Sequence, residues 1–453
     1  MARKNTDTHR PEQHPTTQRA ASGIRPTSRR KLLSAMAVVG GTALAGCMGG
    51  DSGGSATTTE EPTETPTMTP EMTDEPTETP MAETNPDVPI LNYALTLEHL
   101  ENAFYRDGLK TFSDDELMGA NVLSKFGEAV RMDVPEYLKV VGEHEAAHVK
   151  ALTQTVEQLG GTPVEEAEYD FGYETPTEFL ATGMALENTG VAAYAGAAPS
   201  VVDTDILAAA AGIHSVEARH ASFLNLVNDE SPFPKAVDEA KSVEEILEIA
   251  GQFITSDVDA GAITRSDEME VPKLGRKKDD GTTDVDILNY ALTLEHLENA
   301  FYRDGLAEFS EDELMNAKVL ADYDDGLKMK VPGHLEMVGE HEAAHVKALT
   351  QTVEQLGGTP VEEAEYDFGY ETASDYLGVA KALENTGVAA YAGAAPSVAN
   401  DDIFAAALGI HSVEARHAAF LNELNVESPF PMGVDEAKSM EEVTEIAGQF
   451  IVE

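Results

Sequence analysis

Glu143-His-Glu-Ala-Ala-His148 sits inside a stretch with the periodicity of one long helix, and it returns unchanged at Glu340–His345. Within it Glu145 and His148 are three positions apart, so a carboxylate and an imidazole share one helix face a single turn apart. A second pair of the same spacing is Glu217-Ala-Arg-His220. Two other segments each place a tyrosine seven residues after a glutamate, Glu98 before Tyr105 and Glu187 before Tyr194. Seven residues are two turns less about 20°, so each of these pairs also shares a face.

All four patterns occur twice, at a fixed offset of 197 residues. Ile90–Leu109 is identical to Ile287–Leu306, and Val141–Thr175 to Val338–Thr372. Ala185–Val201 and Gly212–Ala221 map in the same way onto Ala382–Val398 and Gly409–Ala418. The chain is one folding unit written twice, and each unit is long enough to fold as a domain rather than as a solenoid repeat. Ten of the 13 histidines recur at this offset.

Each copy is expected to hold four long helices and a shorter fifth. In the first copy the spacing of Leu91, Ala94, Leu95, Leu97 and Leu100 predicts a helix over about 88–109, with Gly108 at its end. A short segment follows at 114–131. A second long helix is expected from Pro135 to Gly160-Gly161, a third over 176–197 and a fourth over 203–227. The fifth is expected over 236–254. No segment alternates as a strand does. The fold class is all-α: two tandem four-helix bundles, over 88–256 and 285–453, joined by a polar linker at 257–284 whose Arg276-Lys277-Lys278 reads as solvated. The connections after the first and second long helices look long enough to join antiparallel neighbours.

Tryptophan is absent and aromatics make up only 6% of the 453 residues, so the cores rest on Ala, Leu, Val and Met. The formal charge is -52; residues 1–46 carry eight Lys/Arg against two Asp/Glu, a net of +6, which leaves -58 on the rest. Such a surface repels nucleic acid and anionic lipid. It resembles the solvated acidic coat of proteins from extremely halophilic archaea. The single cysteine, Cys47, excludes an internal disulfide, a CxxC metal site and a rubredoxin-type iron site.

The N-terminus has the features of an address. Ser28-Arg-Arg-Lys-Leu-Leu33 resembles a twin-arginine export motif, and the apolar run Leu32–Gly46 is too short for a comfortable membrane span. It ends in Leu44-Ala-Gly-Cys47, which resembles a lipobox. The resemblance implies export of a folded protein and lipid attachment at Cys47, on the extracytoplasmic face of the membrane. Residues 47–87 then form a Thr/Pro/Glu-rich stalk with Thr-Glu-Thr-Pro at 63–66 and 77–80, a composition that cannot bury a core.

Each copy resembles a ferritin-like domain, nearest to the branch that includes desiccation-related proteins. The resemblance rests on Glu143–His148 with the following Leu159-Gly-Gly-Thr-Pro163, together with the order of the four patterns, and it covers about 90–254 and 287–451. Such bundles hold two iron or two manganese ions through one Glu from each of two helices and an ExxH pair from each of the other two. Carried over residue by residue, the resemblance implies Glu98, Glu145, His148, Glu187, Glu217 and His220 as ligands. In the second copy it implies Glu295, Glu342, His345, Glu384, Glu414 and His417. The competing reading is a set of salt-bridging surface residues. Against it, four glutamates facing a bundle core are costly unless two divalent cations neutralise them.

Other residues stand close to this set. Glu101, and Glu298 in the second copy, follow the first ligand by one turn and could add a seventh ligand. At the same step of the third long helix stands Gly190, which either leaves room for O2 or peroxide or serves close helix packing. His144, His214, His341 and His411 are candidates to hydrogen-bond the ligands. His99 points about 100° away from Glu98 and reads as an interhelix contact. Tyr105, Tyr194, Tyr302 and Tyr391 are candidates to hold ligand carboxylates or to carry an electron hole. The function expected is redox di-metal chemistry at the cell surface, with Fe(II), O2 or peroxide as reactant. The alternatives are a non-enzymatic stress or desiccation protein that binds metal, and delivery of metal to a transporter. No protein partner is legible.

Overall fold

The computed structural model describes residues 85–256 and 281–452. The export motif, Cys47, the stalk up to residue 84 and the basic cluster at 276–278 lie outside the described residues, while Asp87, expected at the end of the stalk, is buried and accepts from the Val202 and Asp203 amides. The first copy contains α1 (Val88–Thr111), α2 (Asp114–Met118), α3 (Glu128–Gln158), α4 (Pro176–Ala197), α5 (Thr204–Val227) and α6 (Val243–Ala250). The second contains α7 (Asp284–Glu308), α8 (Glu311–Met315), α9 (Asp325–Lys328), α10 (Val331–Gln355), α11 (Ala373–Ala394), α12 (Asp401–Leu424) and α13 (Met440–Ala447). Among the described residues no strand forms; the only extended pairings are single bridges, Tyr169 to Ile254 and Tyr366 to Ile451. No described helix is long and apolar enough to cross a membrane.

Helices α1, α3, α4 and α5 make one bundle, and α7, α10, α11 and α12 the other. Gly161, just past α3, packs on Val88 at the start of α1, whereas Gly142 lies beside Tyr105 near the end of α1, so α1 and α3 run antiparallel. Gly108 of α1 meets the ring of Phe179 near the start of α4, so α1 and α4 are antiparallel too. It follows that α3 and α4 point the same way. The connection over 159–175 therefore travels the length of the bundle instead of joining antiparallel neighbours, contrary to expectation. Polar pins hold it there. Asn92 of α1 donates to the Thr162 carbonyl (3.0 Å) and accepts from the Val164 amide (2.9 Å). The loop's far end takes a bond from the Asp170 amide to the Phe253 carbonyl (2.8 Å).

Three boundaries differ from the sequence reading. α1 continues past Gly108, which makes a close ring contact rather than a stop. α3 starts at Glu128 and carries Pro135 in its interior. Pro135 has no amide to offer, but Val130, Val134 and Leu138 are all buried on this stretch, and their burial outweighs the missing bond. In the second copy the chain does break here, and α10 begins at Val331 with Pro332 in its first turn. The fifth helix is the short α6 rather than a helix over 236–254. Residues 231–241 spend their backbone hydrogen bonds elsewhere: the Asp238 amide donates to the Gly409 carbonyl of the other copy (3.0 Å), and the Lys241 amide to Ala192 (3.1 Å). Ser242 then opens α6 with a capping box to Glu245.

The two bundles meet along α5 and α12. Within the contact lies an apolar seam of Ala218, Ala221, Ala415 and Ala418 with Val191 of α4 and Val388 of α11, all buried. Alanines let the two helices approach closely, and interiors packed to that density resist a larger side chain. Ala218→Leu combined with Ala415→Leu overpacks this seam and is expected to destabilise the fold by about 1–3 kcal/mol, measured as a lowered midpoint in urea; an unchanged midpoint would show that the seam does not join the bundles.

Candidate metal centre

The ligand candidates come from the middle of all four long helices of a bundle. Glu98, Glu145, His148, Glu187, Glu217 and His220 are each fully buried, and so are their counterparts in the second copy. Two groups form in each copy. Glu98, Glu145, His148 and Glu217 bring one donor atom each within 4.8 Å of one another, and so do Glu145, Glu187, Glu217 and His220. The second copy repeats the pair with Glu295, Glu342, His345 and Glu414, and with Glu342, Glu384, Glu414 and His417. The groups share two members: Glu145 and Glu217 belong to both. The ExxH glutamates thus lie between two pockets, while each outer Glu and each His belongs to one.

The hydrogen bonding within a group is short of donors, which is the test of whether a cation fits. His148 Nδ1 faces oxygens of Glu98 (3.1 Å), Glu145 (3.2 Å) and Glu217 (3.1 Å). His220 Nδ1 faces Glu145 (3.1 Å) and Glu187 (3.2 Å). One N–H cannot serve three carboxylates. Glu217, Glu414 and one oxygen of Glu145 receive no aligned hydrogen bond although they are buried. A buried carboxylate without a donor is costly, and a cation amid these oxygens and imidazole nitrogens removes that cost. Each bundle's buried carboxylate and histidine cluster can therefore hold metal ions. Without metal, protons do part of this work. Burial pushes Glu98 and Glu295 up to about 7, and burial with the neighbouring glutamates holds Glu217 and Glu414 well above the ordinary range. Burial disfavours the charged form of His220, but Glu187 and Glu145 outweigh it and bring the imidazole up to about 9.

The tyrosines clasp the outer glutamates crosswise. Tyr105 on α1 donates to Glu187 on α4, and Tyr194 on α4 donates to Glu98 on α1. In the second copy Tyr302 donates to Glu384 at 2.5 Å and Tyr391 to Glu295. Burial and these carboxylates raise all four phenols well above the ordinary value, so they remain protonated donors. His144 and His341 accept from ligand imidazoles: Nδ1 of His144 lies 3.1 Å from Nε2 of His220, and Nδ1 of His341 lies 3.0 Å from Nε2 of His417. Both acceptors are held neutral, near 3, by burial and by those ligand histidines.

His214, His411 and His99 behave otherwise than expected, and Gly190 follows its close-packing reading. His214 and His411 do not bond to the ligand glutamates; their rings face each other across the two copies, with centroids 5.6 Å apart. Gly190 does not open a space for a small oxidant. A Cβ there would stand 3.0 Å from Glu101 Oε1 and 3.4 Å from Glu217 Oε2, so the room belongs to carboxylates, and Gly387 meets Glu298 and Glu414 in the same way. Glu101 and Glu298 are buried beside the cluster but outside the two four-residue groups. His99 reaches the Val164 carbonyl of the crossover loop (3.2 Å) rather than another helix.

Two outcomes follow. Tyr105→Phe removes the phenol that holds Glu187 and should weaken metal binding in the first bundle about tenfold, read by competition titration against a chelator. Metal must displace protons from Glu98 and Glu217, so affinity should fall as pH is lowered through about 7. Proton release on adding metal in weakly buffered solution checks it, and release that is nil at pH 6 would contradict it.

The model of the Ferritin-like domain family matches residues 86–230 and, again, residues 283–427. A search among curated proteins finds no match to the chain. The two matched segments take up more than half of the sequence and contain every glutamate and histidine of the two clusters, and the chain belongs to the ferritin-like domain family, with two copies in tandem.

Proposed function

We propose that each bundle holds two iron or manganese ions and that the protein works as a surface-anchored redox protein, oxidising Fe(II) or removing peroxide. The observation that carries this reading is the sharing of Glu145 and Glu217 between two adjacent four-residue groups. Shared carboxylates between two pockets suit a pair of ions rather than one, and mixed imidazole and carboxylate donors suit iron or manganese. A bound pair of such ions supplies two electrons by moving between divalent and trivalent states.

The protein's own residues suit that change of charge. Four ligand glutamates balance two divalent ions. Buried Glu101 adds a fifth carboxylate, held protonated by burial and by Glu217 when no metal is present. A fifth negative charge lies between the totals of four and six that the two oxidation levels bring, so gain or loss of the Glu101 proton can follow them. Tyr105 and Tyr194 hold the outer glutamates from the far side and fix their direction. The buried surroundings exclude bulk water. Anchoring rests on the twin-arginine motif and on Cys47, which lie outside the described residues.

Purified full-length protein should contain about two Fe or Mn per bundle by mass spectrometry, and should oxidise Fe(II) or consume peroxide. Glu145→Ala together with Glu342→Ala should abolish the activity, with each single change leaving roughly half. Protein that binds the metals but is inert to O2 and peroxide would instead be a metal-binding stress protein without catalysis.

A further inference from the structure

The segment that follows the last bundle helix in each copy does not stay with its own bundle. Gly433, after α12, places its carbonyl 2.6 Å from Nε2 of His148 in the first copy. Ala236, at the same position after α5, places its carbonyl 2.5 Å from Nε2 of His345 in the second. A carbonyl oxygen only accepts, so Nε2 of each histidine carries a proton, and in the neutral imidazole that a metal requires the lone pair is left on Nδ1. Nδ1 is the atom that faces the glutamates. The second histidine of each bundle is met by the same arm. The ring of Phe430 stands edge-on to His220 with centroids 5.0 Å apart, and Phe233 stands edge-on to His417 at 4.9 Å.

Each arm is clamped by the bundle it visits. Arg219, between Ala218 of the seam and ligand candidate His220, donates to Asp435 (2.6 Å) and to Asn385 (3.0 Å), both of the other copy. Arg416 repeats this with Asp238 (2.7 Å) and Asn188 (3.0 Å). The Asp435 amide donates to the Gly212 carbonyl (3.1 Å), and a Cβ on Gly212 would come within 2.7 Å of the Asp435 carbonyl oxygen. Glycine is needed there for the arm to lie down.

We propose that each metal centre is completed by the other copy: the arm around Phe430 and Gly433 positions His148 and His220, and the arm around Phe233 and Ala236 positions His345 and His417. These are positioning residues, acting through the histidines, and the inference rests on the metal-binding reading above. Because the arm at Gly433 continues directly from α12, which bears Glu414 and His417, the ligands of one centre and the cap of the other lie on one continuous segment.

The test uses the full chain with its second centre disabled by Glu342→Gln and Glu414→Gln, so that only the first loads. Mn(II) affinity is measured by competition, and Co(II) is used as a probe whose visible spectrum reports coordination geometry. Phe430→Ala, and separately the isosteric Asp435→Asn, should weaken binding at the first centre by about tenfold to a hundredfold and alter the Co(II) spectrum. Phe233→Ala in the same background removes an equivalent contact from the disabled centre and should shift the affinity less than about twofold, within the range of a remote change. Far-ultraviolet circular dichroism confirms that each variant is folded; if Phe430→Ala is not, Asp435→Asn decides. Unchanged affinity and spectrum in a folded arm variant, or equal loss with Phe233→Ala, would overturn the proposal. Failure of the parent protein to bind any metal would instead overturn the metal-binding reading.

Discussion

The fold is organised around carboxylates placed where no water reaches them. Ionised carboxyl groups in a helical core cost several kcal/mol each unless something positive comes with them. In each bundle Glu98, Glu101, Glu145, Glu187 and Glu217, or their counterparts, converge with two imidazoles. The rest of the bundle can be read as an answer to that load. Two phenols donate to the outer glutamates, two histidines take protons in the metal-free protein, and behind them one neutral histidine and one backbone carbonyl serve as acceptors. What remains uncompensated is concentrated on Glu217 and Glu101, where burial and the neighbouring glutamates favour the protonated form. The helices are otherwise ordinary amphipathic elements with capping boxes and alanine-rich contacts, and little else in them calls for so much buried polarity.

The sequence was most legible where chemistry and helical periodicity coincide. ExxH at three-residue spacing and Glu-x6-Tyr at seven-residue spacing each define a face, and the duplicated register shows that the same faces occur twice. Helix α4 illustrates how well this works: it was expected over 176–197 and spans Pro176–Ala197. Legibility failed where a local signal was overridden by a partner distant in sequence. Pro135 looks like a helix start, and in α10 the matching Pro332 is one, but in α3 neighbouring buried valines carry the helix through. The stretch 231–241 has helical residues on either side, yet its Asp238 amide and Ala236 carbonyl are committed to the other copy and its Lys241 amide to α4. No sequence period reports a commitment of that kind. His214 has the right spacing to support Glu217, and only the packing of α5 against α12 reveals that its face is turned toward His411 instead.

Gly190 is a position whose two sequence readings, an opening or close packing, only the neighbouring side chains separate. A glycine within a helix beside a metal cluster suggests an opening. The structure fills that place with the Glu101 carboxylate, so glycine at 190 and an extra acid at 101 form a single arrangement that neither position reveals alone. The same pairing at Gly387 and Glu298 shows that both copies retain it.

The exchange of arms has a consequence for how the two halves exist together. If the same arms had to be supplied by a separate molecule, the completed state would depend on dilution, and a protein scattered sparsely over a surface would spend much of its time incomplete. With both halves in one chain the encounter is intramolecular, and its effective concentration does not change with the abundance of the protein. The acceptor offered to each histidine is moreover a main-chain oxygen, which is why Gly433 and Ala236 can differ while presenting the same group. Mutational drift along the arm can alter side chains without removing that oxygen.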